Sequence, residues 1–81
     1  MWYVYILECA DGSLYTGLTN DLIKRVETHN KGKGAKYTRG RRPVILLTSF
    51  SVETKSIALK EECRIKKLNR ADKLLLINEL S

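Results

Sequence analysis

What this 81-residue chain lacks narrows its class first. No apolar run approaches the ~18 residues that a membrane-spanning helix needs, so no membrane association is expected. Cysteine occurs only at Cys9 and Cys63, without metal-ligand spacing. The two are expected to be reduced thiols, with a staple across a small domain as the alternative. Internal repeats, a linker and a low-complexity tail are all missing, so residues 1–81 are read as a single domain. The start of the chain shows no basic segment leading into an apolar stretch and a cleavage site, and a cytoplasmic location is expected. Apolar residues still make up 43% of the chain, a normal share for a folded protein, which excludes disorder.

Acid is scarce as well, and unevenly so. The net charge is +6, and the stretch from Lys31 to Arg42 carries Lys31, Lys33, Lys36, Arg39, Arg41 and Arg42 with no acid among them. Gly32, Gly34 and Gly40 interleave these cations, so the stretch is read as a loop able to follow an irregular anion. Such a segment attracts phosphate backbones by releasing their counterions, without reading sequence. Tyr37 in its middle favours nucleic-acid contact over an unpartnered solvated loop.

Local patterns place the remaining elements. Residues 2–8 are rich in aromatic and β-branched residues and predict a strand. Asp11-Gly12 signals a turn, and residues 14–17 return as a second strand. Thr19 or Asn20 can cap a helix over 21–29, with Asp21 in its first turn. Residues 44–50 predict a third strand, 55–68 a second helix and 70–80 a third, opened by Asn69 with Asp72 in capping-box fashion. The order β-β-α-β-α-α implies an α+β fold, a small sheet flanked by helices.

Several polar residues sit where chemistry is possible. Tyr3 and Tyr5 share one strand face by period-two alternation, and Tyr15 follows the turn at a distance suited to hairpin pairing. Strand tyrosines usually only pack, and two facing phenols remain a weak signal. Gly17 either admits a close backbone approach or ends the strand. In the first helix Leu22 and Val26 face the core, while Arg25 and His29, at i and i+4, form a polar ridge pointing away from them. His29 is the sole histidine and so the one side chain that titrates near neutrality when unperturbed. In the second helix Ile57, Ala58, Leu59, Ile65 and Leu68 form a broad apolar arc that includes both Glu61 and Glu62. Helical spacing does not choose between these acids. An acid so placed needs a partner, either Lys66 at i+4 or a metal ion.

These residue types suit phosphodiester hydrolysis. The reaction needs a deprotonated water and compensation for charge on the phosphoryl and leaving oxygens. Arginine's planar fork serves the phosphoryl oxygens. A carboxylate-held Mg²⁺ or Mn²⁺ serves the leaving oxygen. A tyrosine serves as base if neighbouring cations lower its pKa.

Tyr3-Val4-Tyr5, Tyr15-Thr16-Gly17, Arg25, His29-Asn30 and Glu62 together resemble the GIY-YIG nuclease superfamily. Its small stand-alone bacterial YhbQ-like group is also matched by Lys36-Tyr37-Thr38-Arg39-Gly40-Arg41-Arg42-Pro43 and by the segment from Ala58 to Lys66. The resemblance covers essentially the whole chain. It implies a three-stranded antiparallel sheet flanked by helices and a structure-selective DNA endonuclease of repair or recombination intermediates. Products would carry a 5′-phosphate and a 3′-hydroxyl. By the same resemblance Tyr5 and Tyr15 are the motif tyrosines, one of them activating water, Arg25 stabilises the phosphoryl group, and His29 fills the helical position of histidine or tyrosine. Glu62 rather than Glu61 would hold a single Mg²⁺ or Mn²⁺. Lys33, Lys36, Tyr37, Thr38, Arg39, Arg41, Arg42 and Lys73 would hold the nucleic acid, DNA in preference to RNA. Two positions depart from the pattern: Tyr3 replaces the opening glycine, and Leu18 stands where excision-repair relatives carry a lysine. A nucleic-acid-binding module that keeps the scaffold without turnover is the alternative expectation.

Overall fold

The computed structural model describes residues 1–80. Its central strand, β1 (Trp2–Glu8), pairs antiparallel with both β2 (Leu14–Thr19) and β3 (Ile45–Val52), giving the sheet order β2-β1-β3. The hairpin between β1 and β2 turns at Gly12, whose φ of 84° is the left-handed conformation that glycine adopts at little steric cost. Asp11 shapes the same turn by accepting the Ser13 N–H at 3.0 Å. The strands are thus antiparallel as the pattern implies, and the fold is α+β.

Helices α1 (Leu22–Asn30), α2 (Lys36–Arg39), α3 (Lys55–Lys66) and α4 (Arg70–Leu80) complete the chain. Because β1 is covered on both faces, Val4, Tyr5, Ile6 and Leu7 are all buried. Val4 and Ile6 pack with Ala58 and Ile65 of α3, and Trp2, Leu14, Leu18, Phe50, Val52, Leu76 and Ile77 surround them. On the opposite face Tyr5, Leu7, Cys9 and Val44 pack against Tyr15, Leu22 and Val26. Both cysteines are free, Cys9 buried and Cys63 exposed, as their spacing implies.

Local chemistry moves several boundaries away from those expected. Asp21, not Thr19 or Asn20, caps α1, its carboxylate accepting the Lys24 N–H at 3.2 Å. Thr19 acts one step earlier, taking the Asp21 N–H at 3.1 Å. Strand β2 continues to Thr19 because Gly17 pairs within the ladder, opposite Tyr5. Val44 stays outside β3: its N–H and carbonyl are claimed by the Asn30 amide at 2.7 and 3.2 Å. Helix α3 closes at Lys66, where the Leu68 N–H turns back to the Ile65 carbonyl at 3.0 Å. Asn69 does cap α4, accepting the Asp72 N–H at 2.9 Å. The basic segment is not all loop, since it contains the short helix α2.

The expected apolar arc of α3 is narrower than its sequence. Only Ala58 and Ile65, two turns apart on one stripe, are fully buried, whereas Ile57 and Leu59 are 43% and 48% exposed. A helix laid on a small sheet meets it along one line of side chains. Ile65→Ala is therefore expected to cost roughly 2–5 kcal/mol of unfolding free energy, and Leu59→Ala about 0.5 kcal/mol or less. Urea denaturation of both variants checks this, and equal losses would contradict the packing described.

Candidate active site

The ladder positions the tyrosines. Tyr5 opposes Gly17 and Leu7 opposes Tyr15, so Tyr5 and Tyr15 are diagonal neighbours on one sheet face. Their ring centroids lie 6.4 Å apart. A Cβ at Gly17 would collide with the hydroxyl and ring of Tyr5, so the phenol crosses β2 only because that position is glycine. Of the two readings open for Gly17, close approach is the one the fold uses.

Helix α1 then brings its polar residues onto that phenol. Arg25 Nε donates to the Tyr5 hydroxyl at 3.3 Å, and His29 Nε2 lies 2.9 Å from the same oxygen. Arg25 and His29 do share a face, but the face points toward the sheet rather than away from the core. His29 is fully buried. The reason is that both ring nitrogens find partners inside, Nε2 at Tyr5 and Nδ1 at Thr38 Oγ1, 2.8 Å away. The Tyr5 and Tyr15 rings also meet the imidazole in edge-type contacts, at 5.9 and 5.3 Å between centroids.

A guanidinium N–H can only donate, so the Tyr5 oxygen accepts from Arg25. The single phenolic proton is then free to go to His29 Nε2. Electrostatics agree with a neutral imidazole. Burial lowers the His29 pKa below its usual 6.5, and repulsion from Arg25 adds to the effect. Hydrogen bonding to Tyr5 in turn holds Arg25 more firmly in its charged form. The cation does not, however, give Tyr5 the lowered pKa expected of a tyrosine base. Burial raises it above 10.0 against the opposing pull of Arg25, with smaller upward contributions from Tyr15 and Glu62.

Glu62 reaches the edge of this group through its partner Lys66. Helix α3 delivers it past the edge strand β2, with Lys66 3.5 Å from Glu62 Oε1 and 5.9 Å from the centre of the Tyr15 ring. Lys66 is one of the two partners the sequence allowed. Glu61 is held elsewhere, by Arg64 at 2.7 Å. Among the described residues no three acids, histidines or cysteines gather into a metal cage, and Glu62 stands at the rim paired with Lys66.

The basic segment closes over this group. In α2, Tyr37 stacks on Tyr15 at 5.9 Å between centroids, and the Arg41 guanidinium sits 4.1 Å above the Tyr37 ring. Arg41 is fixed further by Asp11 Oδ2 at 3.0 Å and the Tyr37 carbonyl at 2.7 Å. Lys33, Lys36 and Arg39 are exposed beside it. Arg42 is turned to structure, spanning the Arg39 and Asn30 carbonyls at 2.9 and 3.3 Å. Thr38 does not belong with the nucleic-acid contacts: it is fully buried, its hydroxyl spent on His29 and on the Ala35 carbonyl. Lys73 stands half-buried on α4, and among the described residues no hydrogen bond or ion pair joins it to the cluster.

Three residues have long-range duties that the sequence did not assign to them. Asp11 anchors Arg41, Asn30 ties the end of α1 to Val44, and Gly34 lets the chain close over His29, whose ring a Cβ there would strike. Nothing in the spacing distinguishes Gly34 from Gly40, which meets no neighbour.

A phenol shared by an arginine and a buried histidine, with a glutamate at the rim, meets a family match at this point: the model described as GIY-YIG catalytic domain covers residues 1–75. This chain belongs to the GIY-YIG family. A UPF0213 protein of Staphylococcus aureus is 57% identical over 77 residues, covering 95% of this chain and 94% of that protein. Among solved structures, the UPF0213 protein BH0048 from Bacillus halodurans is similar with a TM-score of 0.62 and 48% identity, over 96% of this chain and 84% of that one. The protein EF2693 from E. faecalis follows at 0.60 and 43%, over 91% and 80%. Tyr5, Tyr15, Arg25 and His29, with Glu62 joined to them through Lys66, are the residues that the fold of this chain draws together.

The depressed His29 pKa carries a stability consequence with a definite sign. The unfolded chain takes up the proton at a higher pH than the folded one, so stability falls as pH drops below about 6.5 and levels off below the folded pKa. Asp11, whose bonds to Ser13 and Arg41 lower its pKa, acts only below about 3.8 and leaves this window clear. Urea unfolding at pH 7.5 and pH 5 is expected to show the loss in wild type and not in His29→Gln.

Proposed function

We propose that this protein is a metal-dependent endonuclease that hydrolyses phosphodiester bonds in DNA and selects its substrate by structure rather than sequence. The observation that carries the reading is the Tyr5 hydroxyl held between Arg25 and His29 beside Glu62. Because burial raises the Tyr5 pKa, a standing phenolate is not the base. Instead Tyr5 takes a proton from the attacking water as its own proton passes to His29 Nε2, the acceptor that burial keeps neutral. Arg25 supports the developing charge on Tyr5 through Nε and offers its remaining N–H groups to the phosphoryl oxygens.

The donor set fits a hard divalent cation. Glu62 is one carboxylate, only a fifth exposed and held by Lys66 at a loose 3.5 Å. Mg²⁺ is commonly bound through one or two carboxylates, with waters and substrate phosphate completing its shell. Such an ion, held by Glu62, supplies charge compensation at the leaving oxygen. Tyr37, Arg41 and the exposed Lys33, Lys36 and Arg39 extend the site along the nucleic-acid backbone, with salt-dependent affinity.

The test uses branched, flapped and single-stranded DNA with Mg²⁺ or Mn²⁺. Arg25→Ala and Glu62→Ala are each expected to lower the cleavage rate roughly 10²- to 10³-fold, the scale of losing one oriented charge stabiliser, while DNA binding persists. Cleavage indifferent to both changes would sink the proposal, and preference for RNA of the same sequence would reassign the substrate. The raised Tyr5 pKa and the apolar Leu18, where excision-repair relatives carry a lysine, favour one second reading, a binding module without turnover. It predicts salt-sensitive binding that survives Glu62→Ala, and no metal-dependent cleavage.

A further inference from the structure

Buried Thr38 makes no contact with solvent, yet both of its hydroxyl's hydrogen bonds bear on the site. Its oxygen lies 2.8 Å from His29 Nδ1 and 3.0 Å from the Ala35 carbonyl. A hydroxyl has one proton to give. The carbonyl can only accept, so the Thr38 proton goes to Ala35 and the Thr38 oxygen is left to accept from Nδ1–H. With Nδ1 protonated, Nε2 is bare and accepts the Tyr5 proton, and every bond in the row Arg25, Tyr5, His29, Thr38, Ala35 has one donor and one acceptor. The opposite tautomer breaks one of them, by drawing the Thr38 proton from Ala35 to the bare Nδ1, and it reverses the Tyr5–His29 bond so that the phenolic proton is left without its acceptor. One contact argues the other way, the Ala35 N–H at 3.5 Å from Nδ1, at the limit of hydrogen bonding.

We infer that Thr38 is a positioning residue that holds His29 in the Nδ1–H tautomer, with its bare Nε2 presented to Tyr5. Three further features of the chain serve this arrangement. Helix α2 places Tyr37 outward onto Tyr15 and the next residue, Thr38, inward onto His29. Gly34 removes the side chain that would push the segment off the imidazole. Complete burial of Thr38 and His29 keeps water from competing for either nitrogen. The role in turnover rests on the nuclease reading above, but the tautomer does not, and the two can be tested apart.

Because His29 is the sole histidine in the chain, its ring nitrogens can be observed without assignment ambiguity. Two-bond ¹H–¹⁵N correlation of the apo protein at pH 7.5 is expected to show Nδ1 protonated and Nε2 bare. Thr38→Ser should keep that pattern. Thr38→Val, close in shape but without the hydroxyl, should shift the ring toward Nε2–H or to averaged nitrogen signals. On DNA, Thr38→Val should cut roughly 10- to 100-fold more slowly at unchanged DNA affinity, the usual scale for removing the orienting partner of a functional histidine, with Thr38→Ser restoring the rate. A wild-type Nε2–H tautomer overturns the inference outright, as does a Thr38→Val spectrum identical to wild type. If Thr38→Val does not fold, the wild-type and Thr38→Ser spectra still decide. A correct tautomer with no cleavage by wild type would instead count against the nuclease reading alone.

Discussion

The site depends on an empty space: the missing Cβ at Gly17. Strand β1 points the Tyr5 phenol across the ladder at the one β2 residue that can let it through, and the hydroxyl emerges where α1 can reach it. From that oxygen the rest is built outward, with Arg25 on one side, His29 on the other, Tyr15 alongside and Glu62 arriving from the opposite layer. Burial does two opposed things here. It makes the phenol a poor acid and the imidazole a poor cation, so that both are held in their neutral forms. That is a different use of a tyrosine from lowering its pKa with surrounding cations, and it does not need a lysine at Leu18.

Much of this was legible from residues 1–80. Period-two alternation put Tyr3 and Tyr5 on one face, the Asp11-Gly12 turn set the hairpin, and the i, i+4 relation joined Arg25 to His29. The direction of that helical face was not legible. Judged by Leu22 and Val26 it should have been the solvent side, because helical periodicity counts histidine as polar without knowing that Tyr5 and Thr38 can satisfy both its nitrogens. Glu61 and Glu62 were inseparable by angle; each pairs with a cation of its own helix, Arg64 at i+3 and Lys66 at i+4, and only the tertiary course of α3 brings the Glu62–Lys66 pair beside Tyr15. The basic segment was read by charge and glycine content, which describe its solvent side well. They say nothing of its inner side, where a neutral threonine and an unremarked glycine meet the buried ring.

The contacts of Asn30 and Asp11 belong to the same lesson. Each sits where local sequence assigns it a local duty, a helix end and a turn, and each also holds a partner far along the chain. A short polar side chain at the end of an element has its second hydrogen-bonding group to spare, and in so small a fold that group serves long-range assembly.

Helix α2 spends its four residues on two tasks, with adjacent side chains facing opposite ways. The outer contact with Tyr15 and the inner contact with His29 are therefore made by neighbouring residues of one short helix. A change confined to Thr38 alters only the inner contact, whereas a displacement of the whole helix would move the Tyr37 and Thr38 contacts together. On the nuclease reading, a substitution that shifts the whole helix would look like a binding defect in one assay and a catalytic defect in another, and both descriptions would be of the same displacement.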